Sequence, residues 1–403
     1  MFCKMFLKKK IQTDRKVSTK LIKEKNSTDL CVPEDTCGLN VCLKEKTDLE
    51  DSSSHGDENP DTDSHHFTSD QSRVHSDDVE GPLIGDHEIQ ESEGGEADLH
   101  KHLVGCEKNP GHRQFIPVDT FSLKHLPEGL QDNDLYEYIK GIADLTVRVD
   151  VRKISPDRPK FWPKTFQPYP FYNMSERSNL RTGSGRVWHV NKFQNGVRQN
   201  GGYGCTAYTK CWCRKCKGSN SYSNVWWEFD VTTATHVVFD DSEANHTTLR
   251  LFYDRDDSQV VSVDKVSVHY FNIEYDMCVL NCVTCDKTLG NKLMEIFKHF
   301  ENFWRKVYNK YSDSGSPHKL TFIVSHPHGC SKQVSVGQWK ERLEVGSRSQ
   351  FTYTTCTCPG SSGAQVHCLG YRYWTWSALV HSDSLKSKIN YSGVGHVSKL
   401  FPL

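Results

Sequence analysis

The sequence has no run of apolar residues approaching the roughly 18 that cross a bilayer as a helix, so a membrane-spanning helix is not expected. Apolar residues are sparse altogether, 36% of 403, against the ~45–50% of a compact domain, and part of the chain is therefore expected to stay unfolded. Net charge is nearly absent. The formal value of −1 sums segments of unlike sign and says little about partners. The opening Met1-Phe2-Cys3-Lys4-Met5-Phe6-Leu7, followed by three lysines, lacks an adequate apolar core for a secretory signal and carries its charge on the wrong side. The expected location is intracellular, in the cytoplasm.

Cysteine, by contrast, is plentiful. Sixteen cysteines without an export signal read as reduced thiols or metal ligands rather than a disulfide framework. Residues 1 to about 27 are rich in lysine, and Asp48 to Asp98 is dominated by Asp, Glu, Ser, His and Gly. Such composition cannot bury enough apolar surface to offset its ordering entropy, so 1–112 is expected to be a disordered, basic-then-acidic tail.

Order is expected from near Pro117. Asp132 to Ala143, with Leu135, Ile139 and Ile142 on one face, reads as a short amphipathic helix, and Leu145 to Val151 alternates as a half-buried strand does. Pro156 to Pro170 reads as loop. Thr182 to Val190 opens on Gly183-Ser184-Gly185 and reads as a strand. Paired strands are expected from Val225 to Asp240, and short strands at Leu249–Tyr253 and Val260–Val268. Residues 288–311 carry Leu289, Leu293, Ile296, Phe300, Phe303, Trp304, Val307 and Tyr311 on one stripe, a long helix with a packing face. Strands follow at 320–324, 334–337, 351–357, 365–369 and 373–381.

The insert 191–224 holds Cys205, Cys211, Cys213 and Cys216. Cys211-X-Cys213-X2-Cys216 is spaced to share one ion, and Cys205 is the candidate fourth ligand of a tetrahedral structural Zn²⁺. Lys210, Arg214, Lys215 and Lys217 permit a nucleic-acid contact, but without base-stacking aromatics interleaved over a wide face nucleic acid is not an expected partner.

Three further stretches bear on chemistry. Gly360-Ser361-Ser362-Gly363 is a glycine-permitted turn that can present the Ser362 hydroxyl while aiming the Gly360 and Ser362 N–H groups at an oxyanion. His236 follows the β-run Thr233-Ala234-Thr235, where it can face a cleft. Asp276 precedes the apolar run from Met277, and a carboxylate at a buried strand mouth needs a partner such as an imidazole N–H. Asp240 and Asp241 are alternative acids that can instead cap a turn.

Many short strands split by one helix point to an all-β fold of two barrels with a connecting α-helix. In that frame, Gly183-Ser184-Gly185, Thr233 to Val238, Asp276 to Leu280, His326-Pro327-His328-Gly329 and Pro359 to Ala364 resemble, in order, segments of the chymotrypsin-like (trypsin-like) serine peptidases, in their non-zymogen form. The resemblance implies an N-terminal barrel over 113–287, a connecting helix over 288–311 and a C-terminal barrel over 312–403. It also implies a His236, Asp276, Ser362 triad in the cleft, an oxyanion hole of Gly360 and Ser362, a peptide or protein substrate, and no cofactor for catalysis. Thr357 and His381 resemble the pair that receives acidic side chains in glutamate-specific members.

Two departures agree with each other. Ser361 stands where the family's aspartate forms a salt bridge, and no Ile-Val-Gly-Gly activation terminus is present. They fit an enzyme formed without zymogen cleavage or, alternatively, a catalytically inactive pseudopeptidase serving as an interaction module.

Overall fold

The computed structural model describes residues 83–175, 177–200, 206, 208–219, 221–311, 319–373, 378–385 and 389–398. The tail up to residue 82, Cys205, and part of the strand expected over 373–381 lie outside the described residues.

The described structure starts at Leu83, well before Pro117. Strands β1 (Asp86–His87) and β2 (Gln90–Ser92) and helix α1 (Glu96–Val104) occupy part of the stretch expected to be unfolded. The acidic composition around them hides a thin apolar spine, in which Ile89 and Leu99 are buried. Their backbone groups pair with strands of the folded body, which supplies the burial that a free tail lacks.

Next come β3 (Phe115–Pro117) and helix α2 (Asn133–Leu145), which starts where the Asp132 carboxylate accepts the Asp134 N–H at 3.1 Å. Leu135, Ile139 and Ile142 form its buried stripe. Then follow β4 (Thr146–Val151), β5 (Leu180–Gln194), β6 (Val197–Arg198), β7 (Val225–Thr233), β8 (Thr247–Leu251), β9 (Val261–Val263), β10 (Val266–Asn272) and β11 (Met277–Thr284). Val225 to Asp240 is one strand and a turn rather than two strands, because the Val237 and Val238 N–H groups both close back on the Ala234 carbonyl. Helix α3 (Lys287–Tyr311) leads to β12 (Leu320–Ser325), β13 (Gln333–Val345), β14 (Arg348–Tyr353), β15 (Val366–Cys368), β16 (Arg372–Tyr373), β17 (His381–Ser384), β18 (Asn390–Ser392) and β19 (Val397–Ser398).

Apart from β16 and β19, which pair with each other, the described strands make two curled antiparallel sheets, the expected all-β, double-barrel architecture. One runs β10-β11-β7-β5-β4-β8-β9, with β2 and β6 also on β5; the other runs β1-β17-β18-β14-β13-β12-β15, with β3 on β13. The long strands bend at bulges, β5 between Trp188 and Asn191 and β13 between Trp339 and Glu341, which lets each sheet curl over its own core. Leu293 of α3 joins Phe229 and Val231 of β7 and Phe322 and Val324 of β12 in one apolar cluster that spans both sheets.

Helix α3 lies against β7 through a glycine. A Cβ at Gly290 would stand 2.1 Å from the Trp227 ring, whose Nε1–H is tied to the Met294 sulfur at 3.1 Å. Gly290→Ala gains roughly 1 kcal/mol of helix propensity, but the rigid, buried indole makes overpacking win, at about 1–3 kcal/mol or more. We expect a net loss of stability, read as a lower denaturant midpoint with an unchanged m-value.

Candidate active site

His236 sits on the tight turn that leaves β7, and Asp276 sits at the mouth of β11. Asp276 has φ 50°, the left-handed region that Asp tolerates better than most residues. This conformation aims its carboxylate back at the β7 turn. The carboxylate accepts the His236 backbone N–H at 3.1 Å and the His236 Nδ1–H at 2.8 and 2.9 Å. It also accepts the Ser382 hydroxyl of β17 at 2.5 Å. Asp240 points elsewhere: it caps the helical turn Asp241–Ala244 by accepting the Glu243 N–H at 3.0 Å. Asp241 accepts the Val268 N–H at 2.8 Å.

The Ser362 turn is built by close approach. Gly360 and Gly363 have φ 97° and 85°, and a Cβ on them would lie 2.5 Å from the His326 carbonyl oxygen and 2.2 Å from Thr233 Oγ1. Neither position admits a side chain. Ser184, from the Gly183-Ser184-Gly185 stretch of β5, donates its N–H to the Ser362 carbonyl and its hydroxyl to the Gly360 carbonyl, both at 2.8 Å. The same Ser184 hydroxyl oxygen accepts the His326 N–H at 2.9 Å. Three of the segments singled out in the sequence thus lock one another.

His236 is fully buried, and its Nε2 has no hydrogen-bond partner. Ser362 Oγ instead donates to the Ser382 carbonyl at 3.3 Å. The nearest carboxylate to Nε2 is Asp383, at 3.8 Å. Burial acts to lower the His236 pKa, but the Asp276 and Asp383 carboxylates outweigh it and the Arg158 guanidinium, and hold it above the ordinary value. Burial pushes the Asp383 carboxyl up to about 7, against the pull of His236 and with the push of Asp276.

The expected pocket residues, Thr357 and His381, are both fully buried, and His381 meets a carboxylate that sequence reasoning missed, Glu88, to which Thr357 is linked through Lys108. His381 Nε2 lies 2.7 Å from Glu88 Oε2. Lys108 pairs with the other Glu88 oxygen and donates to Thr357 Oγ1 at 3.1 Å. Glu88 and Lys108 were hidden because both fall in the stretch expected to be unfolded.

A further missed element holds the histidine turn. Arg158, in the proline-rich loop, grips Glu243 through two bonds of 2.7 and 2.8 Å and donates to the His236 carbonyl at 2.9 Å. Glu243 also accepts the Phe239 and Ser155 N–H groups, at 3.0 and 2.9 Å. No local motif announces such a pair.

Two clusters of soft donors stand apart from the triad. Cys211, Cys213 and Cys216 converge with Cys285, from the end of β11, with all four sulfurs within 4.8 Å of one another. Cys285 is a donor the sequence reading did not include, and Cys205, its candidate fourth ligand, lies outside the described residues. The second cluster was not foreseen: Cys106, His112, His328 and Cys358, again within 4.8 Å. In it His112 Nε2 is 3.1 Å from His328 Nε2, and Cys358 Sγ is 3.5 Å from both Cys106 Sγ and His112 Nε2. Either donor set can hold a metal ion.

No protein-family model and no curated protein matches this chain. Solved structures that are similar include the Rv3671c protease in its inactive form, at 10% identity and TM-score 0.29, covering 65% of this chain and 90% of that one. Another is the HtrA-type protease AlgW with a tripeptide, at 11% and 0.32, covering 64% of this chain and 58% of that one. Both are proteases, and likeness this slight carries no argument about chemistry. The chemistry is argued from the side chains alone.

Glu243 is held down to about 2: burial opposes its ionisation, and Arg158 and Arg181 overcome it. A folded-state pKa below the ordinary glutamate value of 4.5 means stability that is complete at neutral pH and lost as pH falls from about 4.5 toward 2. Glu243→Ala leaves Arg158 buried and unpaired, and we expect it to lower stability at pH 7 by about 3–5 kcal/mol. Denaturant titrations at pH 7 and pH 3 check this: the gap between the two proteins should narrow at the lower pH.

Proposed function

We propose that the chain is a serine endopeptidase acting through an acyl-enzyme. The observation that carries this reading is the His236 imidazole, tied through Nδ1 to the buried Asp276 carboxylate and unpartnered at Nε2. A carboxylate on Nδ1–H selects the tautomer whose Nε2 is a lone-pair base, and it stabilises the imidazolium that forms when that base takes a proton. Ser362 supplies the nucleophilic oxygen. A rotation about its Cα–Cβ bond exchanges the long bond to the Ser382 carbonyl for one to Nε2, a contact that often tightens only when substrate is bound.

In the forward step, Ser362 Oγ adds to the substrate carbonyl carbon as its proton passes to His236 Nε2. The Gly360 and Ser362 N–H groups receive the oxyanion, each donor worth ~3–4 kcal/mol of barrier. His236 returns the proton to the departing amine, and water, activated by the same nitrogen, then releases the acyl group. The competing reading, an inactive interaction module on the same fold, draws on the present Ser362 to Ser382 bond.

A fluorophosphonate probe separates the two readings, because it labels only an activated serine. We expect label on Ser362, and for Ser362→Ala a loss of peptide hydrolysis of ~10⁴–10⁶ with the fold intact. Asp276→Asn should lower the rate steeply, and Asp240→Asn should not. Hydrolysis that survives in Ser362→Ala would remove the assignment.

The cysteine clusters fit structural zinc. A tetrahedron of ~2.3 Å Zn–S and ~2.0–2.1 Å Zn–N bonds places its donors about 3.3–3.8 Å apart, near the spacings of both sets. In the second set, the Asn109 side-chain N–H reaches Cys358 Sγ at 3.0 Å, and Gln90 Oε1 lies 2.8 Å from His328 Nδ1, which leaves Nε2 for a metal. Zinc here would fix loops and take no part in the reaction. We expect elemental analysis of the purified protein to find two zinc ions per chain, Cys285→Ser and Cys106→Ser each to lose one, and chelation to lower the Tm. Two ions retained in either variant would refute this placement.

A further inference from the structure

Residues 83–92 lie across the cleft between the two sheets. On one side β1 pairs antiparallel with β17, Asp86 opposite Ser384 and His87 opposite Asp383. On the other, β2 pairs antiparallel with β5, Gln90 opposite Thr182 and Glu91 opposite Arg181. β17 carries Ser382, which holds Asp276, and β5 carries Ser184, which holds the Ser362 turn. The chain thus passes from one wall of the catalytic cleft to the other, and the Glu88–Ile89 peptide bond is where it crosses.

At that crossing the chain is seated as a reacting peptide would be. The Glu88 carbonyl oxygen accepts the Gly360 N–H at 2.7 Å, the donor assigned above to the oxyanion. Its side chain is 4% exposed, with one oxygen on His381 Nε2 and the other on Lys108. The preceding His87 ring lies 6.4 Å from the His236 ring, centroid to centroid. Upstream, the strand runs so close to its partner that a Cβ on Gly85 would stand 2.4 Å from the Ser384 carbonyl oxygen. Main chain, carbonyl and side chain are each met by a complementary group. A buried carboxylate anchored between an imidazole and an ammonium is the kind of recognition that rejects neutral residues strongly.

We propose that residues 85–92 are the enzyme's own substrate: it cuts its chain in cis between Glu88 and Ile89, and its pocket selects glutamate before the scissile bond. This rests on the peptidase reading above. In the step, Ser362 Oγ bonds to the Glu88 carbonyl carbon and its proton goes to His236 Nε2. The Glu88–Ile89 C–N bond breaks, and the proton leaves with the Ile89 amine. Water then hydrolyses the Glu88 ester, which restores the Ser362 hydroxyl and leaves Glu88 as a free α-carboxylate. The acyl side is held only by β1, Glu88 and contacts upstream, and its departure opens the cleft to other chains.

The test uses the full chain, freshly made, with mass-spectrometric mapping of new N-termini over time and hydrolysis of a peptide library in parallel. The expected result is a terminus at Ile89, formed at a rate independent of protein concentration and absent from Ser362→Ala even when wild type is added. Glu88→Ala should slow that cut by about 10²–10⁴-fold, and among the library peptides those with Glu before the cut should be preferred. A wild-type chain that hydrolyses peptides yet keeps Glu88–Ile89 intact overturns self-cleavage and leaves the peptidase standing. A cut at Ile89 that persists in Glu88→Ala at the wild-type rate overturns the glutamate pocket. A chain that neither cuts itself nor hydrolyses peptides nor takes the fluorophosphonate label overturns both readings.

Discussion

The Asp276 carboxylate is the constraint on which the rest depends. It accepts from the His236 backbone, the His236 ring and the Ser382 hydroxyl, and these belong to the turn after β7 and to a strand of the opposite sheet. A carboxylate buried at 4% exposure is tolerable only when its oxygens are saturated with donors. Its satisfaction therefore fixes where the two sheets meet. The same bonds orient the imidazole, so the geometry that relieves a buried charge is also the geometry that prepares a base.

The Ser362 turn is organised on a different principle, the exclusion of side chains. Gly360 and Gly363 admit nothing larger than hydrogen, because the 326–329 turn and the end of β7 press on them. The polar groups of Ser184 then pin the turn from β5. Cys358, four residues before Ser362, belongs to the Cys106, His112, His328, Cys358 cluster. An ion there would tie the approach to the serine to two other loops by bonds far stiffer than the hydrogen bonds around them.

Much of this was legible in the sequence, and for identifiable reasons. Period-2 and 3.6-residue patterns gave α2, α3 and most strands, since those signals come from one-sided burial. His236 follows a run of small residues, Ser362 stands in a glycine turn and Asp276 precedes an apolar run, while the Thr357/His381 pair followed from the family resemblance. The 83–112 segment was not legible, because composition averaged over an acidic stretch conceals two isolated apolar anchors and strands whose partners lie far along the chain. Glu88 and Lys108 went with it. The fourth thiol of the insert cluster was missed for a related reason: Cys285 is distant in sequence from Cys216, and spacing rules see only neighbours. Arg158 and Glu243, each unremarkable in its own loop, meet only through the fold.

The contacts of the 83–112 segment have one feature in common: they tie the residues around Glu88 to groups encoded downstream. Among the described residues upstream of the Glu88–Ile89 bond the attachment is a two-residue strand, the glutamate itself, the Leu83 backbone on Gln350 and the Gly85 N–H on Tyr391. Downstream it is extensive. β2 is registered on β5, Leu99 of α1 is buried, Gln90 contacts His328, and Cys106 and His112 enter a four-donor cluster with two ligands from beside the serine turn. Among the described residues, a single break at this bond would leave the downstream side anchored on β5 and beside the Ser362 turn, and the upstream side with the fewer contacts. The asymmetry of anchoring is thus what separates a segment that can leave the cleft from one that must remain for the cleft to exist.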